Sequence, residues 1–296
     1  MELRTLQYFL AIAREETISG AAEVLHITQP TLSRQMRELE DELGKQLFIR
    51  GNRKITLTED GMLLRKRAEE ISNLVEKTEL ELMASNASLS GDIHIGCGET
   101  EAMRFIAKAM QHFQEDHPFV KFHLFSGNAQ DVTDRLDNGL IDFGIIIGTA
   151  DMSKYDFIKI PMLDRWGLLM RKDSPLASLD SITPEDIKAK PIICSNQQMV
   201  NNEISGWLGK DFEKLNVIAT YNLIYNASLM VEEGMGYALC LDRLVNTTGN
   251  SPLCFKPLEP KLEVNLAMVW KKYQIFSRTS EYFLKSVKNE IAQLKK

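Results

Sequence analysis

At 296 residues the chain exceeds what one core comfortably fills and suits two or three domains. Apolar residues make up 44% and charged residues 26%, a mix that excludes intrinsic disorder. The formal net charge of −6 argues against a nucleic-acid partner only until it is divided by segment. Residues 1–67 carry 11 Lys/Arg and 10 Asp/Glu, a balance of +1 that leaves −7 for the rest. Residues 44–67 alone hold seven basic and two acidic side chains. Screening confines a surface field to about one Debye length, ~8–10 Å, so a local basic strip still attracts phosphate.

The opening run MELRTLQYFLAIAREE has no basic leader followed by an apolar stretch and cleavage site. No apolar run approaches the ~18–20 residues that span a bilayer, so a cytoplasmic protein without a membrane partner is expected. The four cysteines are widely spaced and form no CxxC, which fits reduced thiols rather than a disulfide frame. The five histidines show no metal-ligand spacing, and GCGETE contains GxG without the full dinucleotide fingerprint. No metal or cofactor is expected.

In chain order, Leu3, Leu6, Phe9, Leu10 and Ala13 fall at helical spacing within 3–15. Ser19 is read as the N-cap of a short second helix, Gly20 to Leu25, whose small Ala21 and Ala22 admit a close neighbour. After His26-Ile27, Thr28 is read as the cap of a third helix reaching Leu43, with Pro30 tolerated in its first turn. Leu32, Met36, Leu39 and Leu43 form its apolar face. Gln29, Thr31, Ser33, Arg34 and Arg37 are left outside, residue types that reach base edges and phosphates.

Gln46–Arg50 and Lys54–Thr58 read as two short strands joined at Gly51-Asn52, with Arg50, Arg53 and Lys54 crowding the tip. Thr58 is expected to cap a fourth helix, with Glu59 and Asp60 at the positive end of its dipole. Gly61 costs that helix about 1 kcal/mol against alanine, which suggests close packing there. Leu64, Ala68, Ile71, Val75, Thr78 and Leu82 recur at spacings of four and three, as in a dimer seam, although a helix lying on its own domain would show the same pattern.

The segments AAEVLHITQPTLSRQMRELEDELGKQLFIR and LTEDG resemble the LysR-type transcriptional regulators over some sixty residues. That resemblance implies a winged helix-turn-helix in which Gln29, Pro30, Thr31, Ser33, Arg34 and Arg37 face DNA, with Arg50 and Arg53 as wing positions. It also implies dimerisation through the fourth helix.

Beyond a polar junction at 86–91 the pattern alternates. Strands are expected at Asp92–Gly96, Lys121–Phe125 and Asp142–Ile147, with helices at Met103–Asp116 and Gln130–Asn138. A second set follows, Trp166–Arg171, Ile192–Cys194, Val217–Thr220 and Tyr237–Cys240, then a strand Leu262–Lys271 and a closing helix Ser277–Gln293. Such alternation argues for a mostly parallel sheet covered by helices. Ligands in open α/β sheets sit beyond the carboxyl ends of strands. That rule selects Gly98, Glu99 and Thr100; Ser126, Gly127 and Asn128; Ile147, Gly148 and Thr149; Ser195, Asn196 and Gln197; and Asn226 with Ala227. Ser and Asn are equally common as caps and turn formers.

FQEDHPFVKFHLFSGN, LDNGLIDFGII, MRKDSPLASLDSITPEDIKAKPII and MVEEGMGYALCLDRLV resemble the effector domain of the same family, which has the fold of type 2 periplasmic binding proteins. The implied fold is α/β, with an N-terminal all-α winged helix-turn-helix at 1–58, a long linker and dimerisation helix at 59–90 and a two-lobed α/β effector domain at 91–296. One lobe comprises 91–161 and 267–296, the other 162–266, with crossovers near 161–163 and 263–266. Asp242 departs from the proline that many members carry there.

The implied function is transcription regulation in which a small molecule held between the lobes modulates promoter binding. Implied partners are double-stranded promoter DNA, the effector, RNA polymerase if the protein activates, and further copies in a homodimer or homotetramer. Two other readings stay open, a thiol redox sensor using Cys97 and Cys194 and a solute-binding protein; catalysis is not expected.

Overall fold

Three helices, a hairpin and a long fourth helix build the first of two units, residues 1–84 and 85–296, in the computed structural model. The structure describes residues 1–51, 54–83, 89–148, 152–196, 202–209 and 215–294. Helix α1 (Leu3–Glu15) buries Leu6, Phe9, Ala11 and Ile12. Helix α2 (Ile18–Val24) begins one residue before the expected cap. Its N-cap is Thr17, in extended backbone, whose Oγ1 accepts the Gly20 N–H at 3.1 Å; Ser19 already lies inside the helix. Helix α3 (Gln29–Leu43) starts at the expected Thr28 cap and ends on Gly44, whose φ of 62° suits glycine. Leu32, Met36 and Leu39 are buried, whereas Leu43 is 39% exposed because the last turn runs past the core.

Strands β1 (Phe48–Arg50) and β2 (Ile55–Leu57) pair antiparallel with Phe48 opposite Leu57, a shorter hairpin than expected. Asn52 and Arg53 lie outside the described residues. Thr58 Oγ1 accepts the Gly61 N–H at 3.0 Å and so caps α4 (Glu59–Met83). A Cβ on Gly61 would stand 2.2 Å from the Leu47 carbonyl oxygen, which accounts for glycine within a helix. Leu64 and Ala68 of the expected seam turn inward onto the core of Leu6, Phe9 and Met36. Ile71 of that seam is exposed, as are Met62, Leu63 and Leu74 outside it. The Leu82 side chain falls outside the described residues.

The second unit opens with β3 (Ser90–Cys97), α5 (Met103–Asp116), β4 (Phe119–Ser126), α6 (Ala129–Asp137) and β5 (Phe143–Ile147). Alternation along β3 sends Ile93, Ile95 and Cys97 to one face, against Phe105, Ile106 and Ala109 of α5. Val132 and Leu136 of α6 cover the opposite face. β6 (Tyr155–Arg171) starts earlier than the expected Trp166 and carries Pro161 within it.

The second lobe holds α7 (Pro184–Ile187), β7 (Ile192–Ser195), α8 (Asn202–Leu208), β8 (Val217–Tyr221), α9 (Ile224–Glu232) and β9 (Tyr237–Leu241). β10 (Leu253–Pro257), unforeseen in the sequence, pairs with β6. β11 (Glu263–Lys271) and α10 (Arg278–Leu294) complete the chain, and Phe283, Leu284 and Val287 of α10 return to the first-lobe core.

The strand order β4-β3-β5-β11-β6-β9-β7-β8 is mixed rather than mostly parallel. β4, β3 and β5 are parallel in one lobe and β8, β7 and β9 in the other. β11 and β6 run antiparallel to each other and to their neighbours β5 and β9, because both cross between lobes. Their register breaks where Asn265 faces Leu163 but Leu266 faces Ile160, leaving Pro161 and Met162 as a bulge. The Asp242 N–H donates to the Arg165 carbonyl at 2.9 Å, a bond that proline could not make.

Candidate functional site

Thr28 spends its side chain on the start of α3, where its Oγ1 lies 2.8 Å from that of Thr31. Gln29, Pro30, Thr31, Arg34 and Arg37 are exposed along one side of the helix, and Ser33 is half-buried. Arg34 Nε lies 3.6 Å from Glu38 Oε1. Its side chain is 71% exposed, so the pair is solvent-screened and the guanidinium can exchange partners at little cost. Arg50 ends β1, its side chain outside the described residues, and Arg53 lies outside them altogether.

A cavity of about 70 Å³ opens in the second unit at the carboxyl ends of the strands of both lobes. Gly98, Glu99, Gly127, Asn128, Ile147 and Ser195 line it, six of the positions that the strand-end rule selects. Thr100, Ser126, Asn196 and Asn226 do not. Thr100 is buried and donates its hydroxyl to Asp164. Ser126 bonds the Cys97 thiol. The Asn196 side chain is exposed, and its N–H donates to the Tyr221 carbonyl at 2.8 Å. Asn226 is exposed on α9, two residues past the helix start. Thr149 and Gln197 lie outside the described residues. Asn128 is both lining and cap, since its Oδ1 accepts the Asp131 N–H at 2.9 Å and Asp131 returns the bond.

The remaining wall is Trp166, Glu203, Ile204, Tyr221, Asn222, Ile224, Leu241 and Leu244. Tyr221, Asn222 and Leu241 obey the same strand-end rule, and applying it to β8 and β9 would have found them. Trp166 and Glu203 carried no sequence signal, because their placement depends on how the two lobes face each other. Glu99 accepts the backbone N–H of Ile224 and thereby joins the lobes. Tyr221 donates to the Leu239 carbonyl at 2.6 Å, and burial pushes its phenol well above the ordinary range. Burial raises the Cys97 thiol against the opposing Ser126 bond, and pushes Cys194 up to about 12.

Residues 86–292 match the family described as LysR substrate binding domain, and residues 3–62 match the bacterial regulatory helix-turn-helix of the lysR family. The chain belongs to the LysR family. It is a DNA-binding transcriptional regulator of LysR type that carries a substrate-binding domain. Among LysR-family relatives, the Escherichia coli K12 regulator IlvY is 27% identical over 98% of this chain and 99% of its own length. The Bacillus subtilis 168 regulator BsdA is 31% identical over 73% of this chain and 74% of its own. Full-length CbnR, solved with its target DNA, aligns with a TM-score of 0.75 at 18% identity, over 98% of this chain and 99% of that one. At that identity the likeness concerns the LysR fold.

Proposed function

We propose that this LysR-type regulator reads duplex promoter DNA through the outer side of α3, using Gln29, Pro30, Thr31, Ser33, Arg34 and Arg37, with Arg50 and Arg53 as wing positions that touch the DNA backbone or minor groove. A small effector held by the cavity between the lobes shifts that binding. The observation that carries the reading is the split character of α3. Leu32, Met36 and Leu39 are locked in the core, while Arg34 and Arg37 stand in solvent on a rigid helix. CbnR, a neighbour of the same fold, was solved on its target DNA.

α4 would pair two copies through Leu63, Ile71 and Leu74, in a homodimer or homotetramer that spaces two reading helices along two-fold-related DNA. An effector that binds one lobe arrangement better than another shifts their populations by no more than its differential affinity, ~1–3 kcal/mol for natural effectors. The protein acts in the cytoplasm and catalyses nothing. Among the described residues no helix is long and apolar enough to cross a membrane. The burial of Cys97 and Cys194 disfavours a thiol sensor, and the attached DNA reader disfavours a solute carrier. Selecting sheared genomic fragments on the purified protein tests the reading. Recovery of a few discrete sites with two-fold character supports it, and uniform recovery refutes it.

A further inference from the structure

The cavity between the lobes has a charge of its own. Its described lining contains two carboxylates, Glu99 from the first lobe and Glu203 from the second, and no lysine, arginine or histidine. An anion entering this space meets two like charges with part of its water removed, whereas a cation gains two partners. The N-terminus of α9, where backbone N–H groups ordinarily seat an anion, is already served by the protein itself, since Glu99 accepts the Ile224 N–H. Glu203 reaches across the seam, and a Cβ on Gly148 of the first lobe would lie 2.6 Å from its Oε1.

A second group asks for the opposite chemistry. Trp166 lines the same cavity and is 8% exposed, and its indole Nε1 is buried without a hydrogen-bond partner among the described residues. A buried donor without a partner is destabilising, and a ligand oxygen that reached it would relieve that cost.

Resting on the reading of this cavity as the effector site, we propose that the effector carries a protonated nitrogen beside a hydrogen-bond-accepting oxygen. The nitrogen lies between Glu99 and Glu203, and the oxygen meets the Trp166 N–H. A cation held by one carboxylate from each lobe binds the closed arrangement more tightly than the open one, which is the differential affinity that regulation needs.

The test uses the full-length protein with isotope-labelled tryptophan, whose three indole N–H signals are resolved by NMR and assigned with Trp166→Phe. Three small probes of matched skeleton are titrated, L-alaninamide, propionamide and propionate, at about pH 6.5, where the alaninamide amine is protonated. The expected result is a Trp166 shift with alaninamide at a Kd about tenfold below that of propionamide, with propionate weaker than both. Glu203→Gln and Glu99→Gln should each bring alaninamide to within about threefold of propionamide. The two variants serve as alternates should one of them fail to keep the Trp270 signal in place.

Propionate binding as tightly as alaninamide overturns the charge assignment and leaves the cavity as the effector site, and so does a preference that survives both substitutions. If no probe moves Trp166 at about 100 mM, the cavity reading falls, and the proposal with it.

Discussion

The Thr100 hydroxyl donates to the Asp164 carboxylate, tying the turn before α5 to the strand that crosses between the lobes. Both residues are buried, and Thr100 Oγ1 also accepts the Ala102 N–H at 3.0 Å. Thr100→Val keeps the shape but leaves Asp164 without this donor. We expect a loss of about 1–3 kcal/mol in urea unfolding followed by tryptophan fluorescence. All three tryptophans lie in the second unit, so the signal reports the unit concerned. Unchanged stability would contradict the assignment.

Burial raises the Asp164 carboxyl above its ordinary range, and the Thr100 bond only partly opposes this. The folded state therefore keeps a proton that the unfolded state releases at lower pH. Between the unfolded pKa, about 3.9, and the raised folded value, stability falls as pH rises. Asp164→Asn keeps an acceptor for Thr100 and removes this titration. The stability of the variant relative to wild type should climb through that window and level off above it. A difference that is flat with pH argues against a raised Asp164.

Gly61→Ala sets two effects against each other. Helix propensity favours alanine by about 1 kcal/mol, but the new methyl would stand 2.2 Å from the Leu47 oxygen. A shift of backbone costs more, so the first unit should lose about 1–3 kcal/mol net. Circular dichroism during thermal unfolding measures it, and a stabilised variant would show that α4 can move away.

What the sequence disclosed follows from how local each signal is. Thr28, Pro30 and Gly44 bracket α3 through caps that act within four residues, and both ends fall where the sequence places them. Ser19 misled because Thr17 two residues earlier offers the same chemistry, and backbone geometry chose between them. Ile93 and Ile95 marked a strand through alternation, but nothing in their spacing says whether a neighbour runs parallel. The antiparallel crossing of β6 and β11 therefore stayed hidden. In the cavity, strand ends pointed to Gly98, Glu99 and Ile147. Trp166 and Glu203 arrive only when two lobes meet.

The thiols give an independent check. Cys194 is pushed up to about 12 by burial, and Cys97 and Cys240 are raised by the same cause. Cys254 is less buried, and nearby Lys256 and Lys172 oppose its rise. Native protein at neutral pH should therefore react with an aromatic disulfide reagent first at Cys254, and Cys254→Ser should remove that phase. Rapid modification of Cys97 or Cys194 would reopen the redox reading.

Duplex DNA held on the solvent side of α3 makes binding depend on salt. Affinity of the full-length protein for a selected fragment is measured against salt concentration, for wild type, Arg34→Ala and Arg37→Ala. For wild type, log K should fall linearly with log salt. Each arginine that contacts a phosphate should make that slope shallower by about one when removed, while one that contacts a base should lower affinity by about 1–3 kcal/mol. Wild-type binding that ignores salt, or two arginine variants that bind as the parent does, would contradict it.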